Sequence, residues 1–139
     1  MKNKFLLKYI LILCYLPIQA WSFPYSEIYV FGDSLSDTGR LFEAIELPSV
    51  PYSEGRFSDG EVWVEILAED FLDLSYNPQT NFAWGGATTG TTNVFHEDLP
   101  GLQQQVDTYL EKAADPNGLY VIWAGSNDFL SGVTNPEQT

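Results

Sequence analysis

Ile28-Tyr29-Val30-Phe31-Gly32-Asp33-Ser34-Leu35-Ser36 decides the fold, because a short run that is apolar at every position stops at a glycine and passes into a polar turn. Apolar residues on both parities suit a strand buried on both faces, the usual condition in a parallel sheet. The same pattern recurs twice further along the chain. Asn81-Phe82-Ala83-Trp84 runs into Gly85-Gly86-Ala87-Thr88-Thr89-Gly90-Thr91-Thr92, a stretch too rich in glycine and hydroxyls for regular structure. Leu119-Tyr120-Val121-Ile122-Trp123-Ala124 stops at Gly125 and is followed by Ser126-Asn127-Asp128.

Helical spacing fills the intervals. Over 61–72, Trp63, Leu67 and Phe71 fall on one face while Glu61, Glu65 and Glu69 line another, a row expected to be solvated. Ser58 and Glu61 have the spacing of a capping box at its start. Over 99–113, Leu102, Val106, Tyr109, Leu110 and Ala113 share a face, with Asp98 as the expected N-cap and Asp115-Pro116-Asn117-Gly118 as the stop. Strand alternating with helix predicts an α/β protein whose parallel sheet is covered by helices. There are no internal repeats and no low-complexity linker.

The chain has 139 residues, 45% of them hydrophobic, which fits one globular domain at most. Lys2, Lys4 and Lys8 lie at the start, leaving Arg40, Arg56 and Lys112 against all 19 acids. Such a surface repels phosphate backbones and anionic headgroups, which argues against nucleic acid as a partner and against electrostatic docking on a membrane. Residues 1–22 read as a secretory signal: a basic start, the apolar stretch Tyr9 to Leu16, Pro17 and a small-residue pattern, with cleavage after Ala20 or Ser22. An apolar run that short is far below the ~20 residues of a membrane span, so no stable anchor is expected. Leu13 before Cys14 also fits poorly with a lipoprotein site. Removing the leader removes Cys14, the single cysteine, so a mature chain beginning near residue 23 in an oxidising compartment would have no disulfide. With one histidine and no other cysteine, a zinc-type site is not expected, and Asp33 with Asp37 offers too few oxygen ligands for a metal. No cofactor is implied, and the oligomeric state is left open.

In open α/β sheets ligands bind beyond the carboxyl ends of the strands, so the turns at 32–36, 85–87 and 125–128 should meet at one crevice. Their chemistry is complementary. Ser34 offers a hydroxyl nucleophile, the glycines offer backbone N–H groups, and Asn127 offers an amide N–H, together able to receive a developing oxyanion. The structural alternatives are a helix N-cap for Ser34, a cap or loop-fixing acceptor for Asp37, a structural role for Asp128, and core packing for Trp63, Trp84 and Trp123.

Phe31-Gly32-Asp33-Ser34-Leu35-Ser36-Asp37-Thr38-Gly39 resembles the first block of the GDSL lipases, also called SGNH hydrolases. Asn81 to Ala87 is similar to the second block, and Gly125-Ser126-Asn127-Asp128 to the third. Arg56-Phe57-Ser58-Asp59-Gly60 with Val62-Trp63 resembles the matching region of secreted bacterial members. The resemblance implies a flavodoxin-like three-layer α/β/α fold and hydrolysis of a small-molecule or lipid ester, of the lipase, phospholipase or lysophospholipase kind, through an acyl-enzyme on Ser34. The Ser34 N–H, the Gly85 N–H (Gly86 being the alternative) and the Asn127 side chain would form the oxyanion hole. No Gly-x-Ser-x-Gly surrounds Ser34, so the strained elbow of the α/β-hydrolases is the poorer match.

The family's base is a histidine in a late Asp-x-x-His block, which these 139 residues lack. His96, in Val94-Phe95-His96-Glu97-Asp98, lacks the pattern and reads as a surface residue. Residues 23–139 are therefore expected to be the N-terminal portion of a longer hydrolase domain, nearly inactive by itself. The rival reading is a non-catalytic binding protein or pseudoenzyme of the same fold. With sheet order 2-1-3-4-5, the third strand would be left as an unpaired apolar edge.

Overall fold

A computed structural model describes residues 25–132 of the chain. The expected leader at 1–22 and Cys14 lie outside the described residues. Strand β1 (Ile28–Gly32) pairs in parallel with β2 (Leu119–Trp123), from Ile28 opposite Leu119 to Gly32 opposite Trp123. On the other flank of β1 the stretch 81–84 also runs parallel. Asn81 bridges Val30, the Phe82 N–H donates to the Val30 carbonyl at 2.7 Å, and the Trp84 N–H donates to that of Gly32 at 3.1 Å. The three segments read as strands thus lie side by side with β1 in the middle, the expected 2-1-3 order.

Alternation along β1 divides the core into two layers. Ile28 and Val30 join Val62, Val64, Ala68, Leu72 and Ala83 on one face, with Leu119 and Val121 packed against them. Tyr29 and Phe31 point the other way, onto Phe82, Tyr109, Leu102 and Val106. Phe31 stacks on Phe82 at 5.3 Å and meets Tyr109 edge-on at 5.7 Å. Helices on both faces of a parallel sheet make this an α/β fold.

Helix α1 (Arg40–Ile45) was not expected; only Leu41 of its six residues is buried, so it shows no apolar stripe. Helix α2 (Trp63–Ile66) continues as a π-helical turn over Leu67–Phe71, where the Leu72 N–H reaches the Leu67 carbonyl five residues back. It begins two residues later than the sequence suggests. The Glu65 carboxylate accepts the Val62 N–H at 2.9 Å, whereas Ser58 bonds within its own loop, to the Gly60 N–H. Glu65 is therefore not part of a solvated row. It is buried, and Arg56 grips it through Nε at 2.8 Å and Nη2 at 2.7 Å. The core face is Val64, Ala68 and Leu72, while Phe71 stays 65% exposed.

Helix α3 (Leu102–Leu110) is shorter than expected at both ends. Its N-cap is Gly101, whose N–H donates to Gln104 Oε1 at 2.9 Å; Asp98 sits in a preceding turn, with Pro100 between. The segment after Gly125, expected to be a loop, forms the short helix α4 (Ser126–Leu130).

Candidate active site

The turn after β1 is built by Asp33. Its carbonyl accepts the N–H groups of Ser36 and Asp37, its Oδ1 accepts that of Leu35 at 3.1 Å, and its own N–H donates to the Trp123 carbonyl. Gly32 is required just before it because a Cβ there would overlap the Trp123 carbonyl oxygen of β2. The Ser34 N–H meets no acceptor among the described residues, although the N–H groups on either side are bonded. Its half-buried hydroxyl has no partner there either, so the helix-cap alternative finds no support in the bonding.

Asp37 ties this turn to the glycine loop. Its carboxylate is wholly buried and accepts four backbone N–H groups: Gly39 at 2.8 Å, Arg40 at 2.7 Å, Leu41 at 3.1 Å and Gly85 at 2.7 Å. Three of these cap α1, and the fourth spends the donor expected to belong to the oxyanion hole. The Gly85 N–H thus faces Asp37, whereas that of Gly86, the alternative, has no acceptor among the described residues while those of Gly85 and Ala87 are bonded. Gly86 has φ of 79°, and a Cβ on it would overlap the Phe95 ring and approach Asn93 Oδ1 to 2.6 Å. Only glycine fits such a position without strain.

The third turn is fastened to the second. Asn127 is buried, and its Nδ2 donates one hydrogen to the Ala87 carbonyl at 2.9 Å, leaving the other unassigned. Asp128 accepts the Thr89 hydroxyl at 2.6 Å and the Thr89 N–H, the structural part expected of it. Bonds from Asp37 to Gly85 and from Asn127 to Ala87 thus join the turns carrying Ser34, Gly86 and Asn127.

Burial pushes the carboxyls of Asp33 and Asp37 above the ordinary aspartate range. For Asp37 four N–H groups oppose the rise; for Asp33 only two backbone N–H groups do, while the charge of Asp128 adds to it. Asp33 Oδ2 is buried with no hydrogen-bond partner among the described residues. His96 is exposed and turned to Asp98, whose N–H donates to its Nδ1 at 3.2 Å, and it makes no bond to Ser34. Trp63 donates its indole N–H to Ser36 Oγ at 3.1 Å and packs on Trp123. Trp123 is 50% exposed, so it is not the core residue expected.

Three supporting residues escaped the sequence reading. Gln105 accepts the Gly32 N–H and donates to the Gly32 carbonyl, both at 2.9 Å, clamping the residue before Asp33. Asn81 donates to the Ser36 carbonyl at 2.7 Å, and Asn93 donates to that of Gly85 at 2.9 Å. Each is a buried amide beside apolar neighbours, and Gln105 at least was visible as a polar residue on the apolar face of a helix.

The parallel sheet covered by helices, with a serine, an unspent glycine N–H and an asparagine amide on the turns after its strands, defines the class as an α/β protein. The chain belongs to the GDSL-like lipase/acylhydrolase family, whose model matches residues 28–139. It is 39% identical over 123 residues to a phosphatidylcholine-sterol acyltransferase of Aeromonas hydrophila, covering 82% of this chain and 36% of that protein. It is 33% identical to lipase 1 of Photorhabdus luminescens, covering 81% of this chain and 17% of the relative. A thermolabile hemolysin of Vibrio parahaemolyticus is likewise 33% identical, with 76% and 26% covered. The chain spans little more than a third of these relatives' length at most. No helix among the described residues is long and apolar enough to cross a membrane.

Proposed function

We propose that the protein is a secreted acylhydrolase acting on a small-molecule or lipid ester through an acyl-enzyme on Ser34. The observation that carries this is the pair of free backbone donors. Among the described residues Ser34 and Gly86 keep their N–H groups unspent while the adjacent N–H groups are bonded, and Asn127, tied to the glycine turn through the Ala87 carbonyl, has a hydrogen to spare. In the proposed reaction Ser34 Oγ attacks the ester carbonyl as its proton passes to a base. The carbonyl oxygen becomes an oxyanion received by these three donors. The C–O bond to the alcohol then breaks, and the alcohol leaves with a proton. Water next attacks the acyl-enzyme and releases the acid; a second alcohol in place of water would give transfer instead.

His96, the only histidine of the sequence, does not reach Ser34, so the 139-residue chain should be nearly inactive without an added base. The test is covalent labelling by a fluorophosphonate with and without added imidazole. Labelling should fall on Ser34, speed up with imidazole, vanish in Ser34→Ala and slow by about a hundredfold in Asn127→Ala. Label on another residue, or an Asn127→Ala chain that labels at the wild-type rate, would overturn the reading. A second reading, a non-catalytic binding protein, is favoured by the absence of a partner on the Ser34 hydroxyl; complete inertness of Ser34 in imidazole would select it.

A further inference from the structure

Beside the free Gly86 N–H the surface changes from polar to aromatic. A Cβ on Gly86 would overlap the Phe95 ring, and one on Gly85 would come within 2.6 Å of buried Leu41 and 2.8 Å of the Phe57 ring, so both rings border the glycine turn beside Leu41. Phe57 and Phe95 stack with centroids 6.2 Å apart, and Tyr52 continues the row 5.7 Å from Phe57. Tyr52 and Phe95 are 45% and 42% exposed. Monomeric proteins seldom leave contiguous aromatic surface beside a polar site without a use for it.

The row is also held firmly. Asn93 accepts the Phe95 N–H at 2.9 Å on Oδ1 and donates to the Gly85 carbonyl through Nδ2, so ring and turn share one anchor. The loop bearing Tyr52 and Phe57 is closed by the Ser53 N–H on the Ser58 carbonyl at 2.8 Å and fixed to α2 by the Arg56–Glu65 pair. Rigid aromatic surface offers apolar contact at little entropic cost.

We propose that Tyr52, Phe57 and Phe95 form the shelf along which the acyl chain of the ester lies. An ester whose carbonyl oxygen is received at Gly86 has its first methylenes against Phe95 and the following ones against Phe57 and Tyr52. The occupant is an uncharged alkyl chain and not an anionic membrane surface, because the carboxylates of Glu54, Glu97 and Asp98 adjoin the row in sequence and are exposed. The proposal rests on the acylhydrolase reading of the same site, yet the two fail separately: inert Ser34 sinks the nucleophile, whereas the shelf is judged by binding alone.

The experiment is an NMR titration of the 139-residue chain with monomeric dodecylphosphocholine and with hexylphosphocholine, each below its micelle concentration. The longer chain should bind at least about tenfold more tightly and shift the ring resonances of Phe95 and Tyr52. Tyr52→Ser and Phe95→Ser should each erase most of that advantage. Phe71→Ser, which alters the separate apolar groove of Trp63, Ile66, Leu67 and Phe71, should keep it. Phe95 adjoins the glycine turn, so Tyr52→Ser, an exposed site, guards against a folding defect. Equal binding of the two probes, an undiminished advantage in Tyr52→Ser, or its loss only in Phe71→Ser would overturn the proposal.

Discussion

Asp33 sits next to Ser34 with one carboxylate oxygen buried and unpartnered among the described residues, an arrangement that favours the protonated acid. Because the folded chain raises this carboxyl above its ordinary 3.8, it holds the proton to higher pH than the unfolded chain does. Stability is therefore undiminished below the unfolded value and declines as the pH rises through the folded one. Asp33→Asn keeps an acceptor for the Leu35 N–H and cannot ionise. Urea midpoints measured between about pH 4 and about pH 6 should shift progressively in the variant's favour, and parallel curves would show that Asp33 is not the titrating group. Gly86→Ala tests the neighbouring turn, since alanine must adopt a φ of 79° and displace Phe95 or Asn93. It should cost about 1–3 kcal/mol in the same assay and slow fluorophosphonate labelling. Ser34 and Asn127 stand out in the sequence as polar residues that follow apolar runs ending at a glycine. Which of Gly85 and Gly86 keeps an unbonded N–H is not legible there, because adjacent glycines differ only in which N–H a distant carboxylate occupies.

At the scale of elements, single polar side chains decide how helices seat on the sheet. Gln105 occupies a buried position between Leu102 and Tyr109 on α3 and bonds both backbone groups of Gly32. Gln105→Leu preserves apolar volume but leaves the Gly32 N–H without an acceptor, at a cost of about 1–3 kcal/mol by urea denaturation. An unchanged midpoint would show that the apolar gain offsets the lost bonds. Glu65 on α2 depends on Arg56 in the same way. Arg56→Ala strands a buried carboxylate and should cost about 3 kcal/mol, with much of the loss recovered when Glu65→Gln is added. These two residues also explain what the sequence reading missed. Spacing located α2 and α3 through their apolar stripes, yet it treated Glu65 as one of a solvated row, because the partner nine residues earlier belongs to a loop. The six-residue α1 and five-residue α4 lack a full stripe, and α1 is set by the Asp37 carboxylate and not by its own pattern. The start of α2 moved because Glu65 reaches back to Val62 while Ser58 is held by its loop.

Across the whole molecule, three parallel segments were legible in the sequence because each is a largely apolar run that ends at a glycine, whereas their order came with the family resemblance; the burial on both faces expected of the third segment fails, since no residue of β2 is buried. The covering of that sheet is uneven, and patterning alone does not reveal this. α2 and α3 pack over β1 and the 81–84 stretch, whereas the outer edge of β2 has no partner among the described residues. Ile122 is 63% exposed, Trp123 is 50% exposed, and α4 adds Phe129 and Leu130, both largely in water. An unpaired strand edge with exposed apolar side chains is a template for pairing with another chain. The strong net negative charge of −13 opposes association at long range, but salt screens it beyond about 8 Å at physiological ionic strength, while edge pairing acts at contact. The 139-residue chain is therefore expected to self-associate, more strongly as salt is raised. Sedimentation velocity in a concentration series should show the monomer giving way to larger species, and Ile122→Lys should restore the monomer by placing a charge on the edge. A wild-type chain that stays monomeric in high salt at about 100 µM, where even weak pairing would register, would show that the β2 edge is already protected.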